Sequence, residues 1–476
     1  MKKRLMLIYP PGRLFQRGEE RCQSNIEESA STTMRACNDL GYVAAVAKDY
    51  KIFLKDYQTE SLSFSNLTND FLDFCPDTLF ISTTNTTVFS DIDIARKLKK
   101  LKKDCVVILK GAIFFNPSNH LLNQLNLEEI DYLIGGEAEF VISDLLDFHF
   151  FGKGKIDSIR GILYKKDKSW IRTDFSTWEE NLDALPFPNR ALMNNSLYVR
   201  PDTSEPQATI TTSRGCPANC IFCLTPTISG KRLRLRSPSN IFNELLECYS
   251  LYNIRNFFFK SDTFTINQSW VVELCNLIIN SKLFGKISWV ANSRAKPLEI
   301  ETLKAMKKAG CWLVAFGFES GSDETLKKVR KATTTIDNLK AAKMAKEAGL
   351  KIFGFFVIGF PWEDRTHLQE TKKHIFEIDS DFIELHLAIP YYGSELYNIA
   401  KSKGLLKDSI LGADYFNPPT IGTEYLTLEE LVAFKKKIIL RYHFRLSYIT
   451  KKLIYAIGKP KVLKNYFKFG WRLLFR

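Results

Sequence analysis

No apolar stretch in the chain approaches the roughly 18 residues that a membrane-spanning helix needs; the best, Ile352 to Trp362, falls far short. Acidic residues are missing altogether from Leu431 to Arg476, a stretch holding 13 Lys or Arg. With a formal net charge of +14 for the whole, only +1 is left for the first 430 residues. The basicity therefore belongs to the tail, and the body is nearly neutral. Paired cysteines are scarce too: Cys37, Cys75, Cys105, Cys248, Cys275 and Cys311 stand singly on apolar segments, as buried thiols do. That excludes a disulfide-stapled scaffold. Repeats and low-complexity tracts are absent, and 45% hydrophobic with 25% charged residues excludes wholesale disorder. The start, MKKRLMLIYPPG, has only five apolar residues between Arg4 and Pro10, so the expectation is a cytoplasmic strand rather than a signal peptide.

What is present is ample core for about three structural units in 476 residues. Apolar runs at Arg4–Tyr9, Tyr42–Val46, Thr78–Ile81, Val106–Leu109 and Tyr132–Ile134 alternate with helical spacing, as in Asn25–Leu40 (stopping at Gly41) and Asp91–Lys102. This predicts an α/β unit over residues 1–150, a parallel sheet covered on both faces. Ligands of such sheets bind beyond the strands' carboxyl ends. Here those ends are Pro10-Pro11-Gly12, Ser82-Thr83-Thr84, Lys110-Gly111 and Gly135-Gly136-Glu137; a glycine there equally makes a plain turn. Residues 151–200 read as a hairpin (Ile159–Tyr164 with Ser169–Thr173) and a surface linker, Leu182–Leu192. Over 201–404, six strands are expected at Thr209–Ser213, Asn256–Lys260, Ile287–Ala291, Trp312–Phe318, Ile352–Phe360 and Phe382–Ile389, each before a helical pattern. Six βα units make a partial barrel or a large open sheet, with the site at the same strand ends. Residues 405–476 form a helical, basic, aromatic extension.

Directly after the first of those strands, RGCPANCIFC sets Cys216, Cys220 and Cys223 in C-x3-C-x2-C spacing. A structural zinc site wants four ligands, and no fourth Cys or His lies nearby. A disulfide leaves one thiol over. An iron–sulfur cluster with one iron lacking a protein ligand uses all three.

At these residues the chain resembles the radical S-adenosylmethionine (SAM) superfamily, in the branch with an N-terminal cobalamin-binding-type domain. The strings TTSRGCPANCIFC, NSRAKPLEIETLKAMKKAGCWLVAFGFESGS, GFFVIGFPWED and IPYYGSELY carry the resemblance in order, from Pro10 to about Lys403. It implies a Rossmann-like sheet followed by a partial (β/α)6 barrel. It also implies that Cys216, Cys220 and Cys223 hold a [4Fe-4S] cluster whose open iron chelates SAM, and that one electron then yields methionine and a 5′-deoxyadenosyl radical. By the same resemblance Phe222 lies against the adenine, which the backbone edge of Ile358 and Gly359 reads. Asp262 holds the methionyl amino group, with Ser261 where the family usually shows a second acid. Arg294, aided by Asn292, clamps the carboxylate, and Glu319, beside Gly317 and Gly321, reaches the ribose or amino group. Cobalamin would lie on Pro10, Gly12, Ser82, Thr83, Gly111, Gly135, Gly136 and Glu137. The D-x-H-x-x-G motif is absent, which argues against a histidine on cobalt, and Lys110 replaces a glycine.

The expected reaction is cobalamin-dependent methylation of an unactivated carbon. Without cobalamin the alternative is a radical dehydration, cyclisation or rearrangement with a vestigial first domain. A plain electron carrier leaves Arg294, Glu319 and GFPWED unexplained. The expected partners are a small-molecule or lipid-like substrate and a donor such as flavodoxin or ferredoxin; nucleic acid is not expected. Glu384, His386 and Tyr391, on or after the sixth strand, either face that substrate or pack inside the barrel. In the tail, Ile438, Tyr442, Leu446, Ile449, Leu453 and Ile457 form one stripe, with Tyr455, Phe467, Phe469 and Trp471 suited to a headgroup boundary. Either the stripe docks on the barrel or it holds the enzyme peripherally at the inner face of an anionic membrane.

Overall fold

The computed structural model describes residues 2–17, 34–167, 169–406, 410–412 and 421–475. Its first sheet has the order β2-β1-β3-β4-β5-β6-β7. β1 (Arg4–Tyr9), β2 (Lys51–Asp56), β3 (Thr78–Ser82), β4 (Val106–Lys110) and β5 (Tyr132–Ile134) pair in parallel. The hairpin β6 (Ile162–Lys166) and β7 (Ser169–Arg172) adds an antiparallel edge. β3 and β4 are buried throughout, because α1 (Asn38–Val46), α2 (Phe64–Phe74), α3 (Val88–Leu101), α4 (Asn119–Asn123) and α5 (Ile142–Phe151) cover both faces of the sheet.

Two expectations shift here. Tyr42–Val46 is not a strand: α1 runs through Gly41 to Val46, and the second strand is Lys51–Asp56. Gly41 is not a stop. It makes room for the linker, since a Cβ there would stand 2.0 Å from Met193 Cε. The Asn25–Thr33 part of the expected helix lies outside the described residues. The linker Leu182–Leu192 exposes Ala184, Pro186, Ala191 and Leu192 but anchors itself through buried Leu182, Pro188 and Arg190. Arg190 is fully buried and donates to Thr209 O at 3.0 Å and to Glu244, which also takes Arg236 at 2.5 Å.

The second sheet has the order β15-β14-β13-β12-β11-β8, all parallel, and its strands are β8 (Gln207–Thr211), β11 (Asn256–Lys260), β12 (Ser288–Ser293), β13 (Cys311–Glu319), β14 (Lys351–Ile358) and β15 (Phe382–Leu387). A short antiparallel pair, β9 (Ser213–Arg214) with β10 (Arg234–Leu235), pinches off the loop that carries the cysteines. Within that loop lies α6 (Thr225–Ile228). Outside the strands pack α7 (Pro238–Tyr252), α8 (Gln268–Ile279), α9 (Ile300–Lys308), α10 (Asp323–Lys328), α11 (Thr335–Glu347), α12 (Arg365–Ile378) and α13 (Glu395–Ser402). The outer-layer core takes Ile210, Phe259, Ala291, Phe316, Phe318, Ile358 and Leu387. The pleat then turns Thr211, Lys260, Asn292, Gly317 and His386 to the other, lumenal face.

The tail forms α14 (Leu428–His443), α15 (Leu446–Ala456) and α16 (Pro460–Phe475). The single apolar stripe is not realised, because the helix breaks at Phe444–Arg445. Ile438 and Tyr442 join the barrel core, and Tyr442 OH donates to Ser380 O at 2.6 Å. Leu446, Leu453 and Ile457 stay exposed. No described helix is long and apolar enough to cross a membrane.

Candidate active site

The cysteine loop turns at Gly215, whose φ is +81 and where a Cβ would meet Arg232 O at 2.1 Å, so only glycine closes it. Cys216 N donates to Gly230 O, Ile221 N to Val329 O and Leu396 N to Ile221 O, tying the loop to the segments after α10 and β15. Arg294 Nη1 lies 3.7 Å from Cys220 Sγ, and its Nη2 donates to Lys331 O. Burial raises the Cys216 thiol and pushes that of Cys223 up to about 11. Thr225 hydrogen-bonds Cys223 and lies 3.5 Å from Asp262, which sets that carboxylate beside the cysteine loop. Among the described residues no three His, Cys, Asp or Glu close on one point as a single ion requires. A polynuclear cluster instead takes thiolates spaced around it, and a set of three cysteines matches that donor chemistry.

Asp262 follows β11 and accepts from Thr225 Oγ1 at 3.5 Å. Ser261 is buried with its Oγ 2.6 Å from Ser213 Oγ, so it ties the end of β11 to β9. Glu319, at the end of β13, has φ +63 and lies 2.6 Å from Lys331 Nζ. Gly317 makes room for that pair: a Cβ there would come 2.4 Å from Glu319 Oε1 and 2.9 Å from Lys331 Nζ. The turn after β14 is held by fully buried Glu363, whose Oε2 accepts from Gly359 N (2.7 Å) and Phe360 N (3.1 Å). Ile358 itself is core. Phe222 packs on Phe360, which stacks on Trp362 at 5.5 Å. The anions Asp262 and Glu319 and the cation Arg294 match in sign the ammonium and carboxylate of an amino-acid ligand.

Between the two sheets lies a cleft. Tyr9, Asp39, Lys110, Gly136 and Glu137 line it from the first sheet, and Thr211, Lys260, Ser261 and Asp262 from the barrel. Of the residues expected to hold cobalamin, only Gly136 and Glu137 reach this cleft. Gly136 has open space at its Cβ position, whereas Glu137 is engaged by Arg214 (3.2 Å) and Arg234 (2.6 Å). Gly12 opens to a separate surface depression. Gly111 and Gly135 face neighbouring backbone: a Cβ would meet Thr83 O at 2.6 Å and Phe114 O at 2.4 Å. Pro10 is buried at the end of β1, Ser82 Oγ donates to Asp39 at 2.5 Å, and Thr83 Oγ1 is buried without a partner among the described residues. Lys110 Nζ stands 4.0 Å from Asp39. The cleft's polar lining and the open backbone at Gly136 suit a ligand edged with amides, such as a corrinoid, and no histidine stands among its described lining residues.

Glu384 and His386 pair at 3.4 Å on β15, with His386 stacked on Phe355. Tyr391 packs instead with Leu224 and Ile228 behind the cysteines. Lys331, Asp39 and Glu363 escaped sequence reasoning. Only Glu363, inside GFPWED, lay within a quoted motif.

Comparison with known proteins agrees with this geometry. The model of the radical SAM superfamily matches residues 210–375. An uncharacterised methyltransferase of Pyrococcus horikoshii is 28% identical over 455 residues, 94% of each chain. The anaerobic magnesium-protoporphyrin IX monomethyl ester cyclase of Cereibacter sphaeroides is 22% identical over 436 residues, 87% of this chain and 68% of that one. Among solved structures, the radical SAM methyltransferase TsrM of Kitasatospora setae, with cobalamin and a [4Fe-4S] cluster bound, superposes with a TM-score of 0.67 at 16% identity, over 86% of this chain and 76% of that one. Residues 210–375 thus carry a radical SAM domain, and the chain is an enzyme. Its fold over both sheets is that of TsrM.

Proposed function

We propose that this enzyme is a cobalamin-dependent methyltransferase acting on an unactivated carbon. The observation that most supports this is that Asp262 belongs at once to the neighbourhood of the cysteines and to the cleft at the strand ends of the first sheet. Groups bound at the two places would share one space. When bound, the cluster supplies the electron that breaks the C–S bond of SAM, and cobalamin supplies the methyl group. In this reading Cys216, Cys220 and Cys223 hold the cluster and Arg294 the SAM carboxylate. Asp262 and Glu319 take its amino and ribose groups, and the Gly359 turn faces the adenine. Tyr9, Asp39, Lys110 and Gly136 border the corrinoid, which has no protein histidine on cobalt.

The partners this requires are a low-potential donor such as flavodoxin or ferredoxin and a small-molecule or lipid-like substrate. Contact of the basic tail with an anionic membrane completes the reading. Purification with cobalamin followed by absorption spectra tests the cofactor: retained corrinoid without a nitrogen-ligated cobalt signal is expected. Absence of any corrinoid, with 5′-deoxyadenosine still formed, would overturn the methyl-transfer reading in favour of a cyclisation or rearrangement.

A further inference from the structure

α15 and α16 each rest one face on the protein and present the other to solvent. Inward on α16, Val462 is buried and Asn465 Nδ2 donates to Pro201 O (3.2 Å) and Asp202 O (2.9 Å), while Phe469 meets His443 edge-on at 5.2 Å. Outward, Phe467 (67% exposed), Trp471 (66%) and Leu474 (55%) recur at helical spacing, with Lys461, Lys464 and Lys468 exposed among them. On α15 the inward residues are Tyr448 and Ala456, and Leu446 (81%), Ile454 (63%) and Ile457 (75%) face out. Arg445 and Lys451 are spent on Asp379, at 2.9 and 2.7 Å, so the cations that remain outward are chiefly those of α16.

A helix already docked on its own barrel has no internal use for a second apolar face, and its solvent face is ordinarily polar. Here that face combines large apolar and aromatic side chains with lysines, and residues 446–476 hold eight Lys or Arg and no acid. This composition complements a boundary that is apolar below and anionic above. We infer that the outward faces of α15 and α16 seat the enzyme on an anionic lipid surface. The inference deepens the membrane contact named in the proposed function and stands apart from its chemistry. It replaces the stripe through Ile438 and Tyr442, which the barrel consumes, with a different set of residues.

The test is sedimentation of the full-length enzyme with phosphatidylcholine vesicles, with and without about a third phosphatidylglycerol. Two triple variants accompany it, Phe467→Ser/Trp471→Ser/Leu474→Ser and Lys461→Gln/Lys464→Gln/Lys468→Gln. Binding to anionic vesicles alone is expected, weakened roughly tenfold between about 0.05 and 0.3 M salt. Each triple variant should lose roughly tenfold or more, with the unfolding midpoint and 5′-deoxyadenosine formation unchanged. Equal binding to neutral vesicles, or binding that neither variant weakens, overturns the inference. So does a protein that ignores vesicles yet forms a dimer abolished by the apolar variant, or one that binds RNA instead. None of these outcomes touches SAM cleavage, so the inference and the catalytic reading fail separately.

Discussion

Glu319 and Lys331 form an ion pair 2.6 Å long beside the cysteine loop, and both side chains are almost wholly buried (11% and 6% exposed). Glu319 holds a left-handed backbone, and Lys331 sits between two further left-handed residues, Arg330 and Ala332. Removing one partner strands the other's charge away from water. Lys331→Met should therefore cost about 3 kcal/mol in urea unfolding, and Glu319→Gln/Lys331→Met should recover much of that loss. If the double variant is no more stable than the single one, the pair is not coupled as the geometry requires.

Glu363 offers a pH signature. Burial raises its carboxyl from 4.5 to about 7, against the hydrogen bonds from Phe360 N, Gly359 N and Thr325 Oγ1. Between those values the folded state keeps a proton that the unfolded chain releases. The stability tied to this group is whole below about pH 4.5 and falls as pH rises through 7. Glu363→Gln can keep the same contacts without that titration, so it should match the wild type in acid and exceed it by roughly 1–3 kcal/mol above neutrality. Glu363→Ala, which leaves the Gly359 turn unsupported, should be destabilised at every pH by about 1–3 kcal/mol. Parallel pH profiles for wild type and the Gln variant would contradict the raised carboxyl.

The two sheets are joined by charge. Arg214 pairs with Glu137 at 3.2 Å and contacts Glu139, and Arg234 pairs with Glu137 at 2.6 Å. Arg214→Met leaves Glu139, only 5% exposed, without that partner, and should cost about 3 kcal/mol. Proteolysis of the 177–206 connection should then precede global unfolding. A variant cut at the wild-type rate would show that the docking rests elsewhere.

Much of this was legible because buried parallel strands read as continuous apolar runs; all six barrel strands fell within a few residues of their observed places. Lys51–Asp56 was missed because it is an edge strand with charges at Lys51, Lys55 and Asp56, while the apolar Tyr42–Val46 beside it is a buried helix. Proline-rich Leu182–Leu192 suggests a surface path, yet its Arg190 is buried and paired with Glu244, 54 residues away, which no local pattern shows. The position of the cysteine loop after the first barrel strand is legible in the sequence, and the fold brings Arg294 to 3.7 Å from Cys220 within it. Lys331 was not, because its role depends on a loop that returns to β13 only in the fold. The tail's periodicity was real, but the break at Phe444–Arg445 sent its two halves to different surroundings.

The most direct test of the radical SAM assignment is paramagnetic resonance of the anaerobically reconstituted, reduced protein with and without SAM, run beside Cys216→Ala, Cys220→Ala and Cys223→Ala. The expected result is a [4Fe-4S] signal that SAM alters, accompanied by 5′-deoxyadenosine, with both lost in every single variant. Full cluster content and turnover in any one variant, or a signal that SAM leaves unchanged, would contradict it.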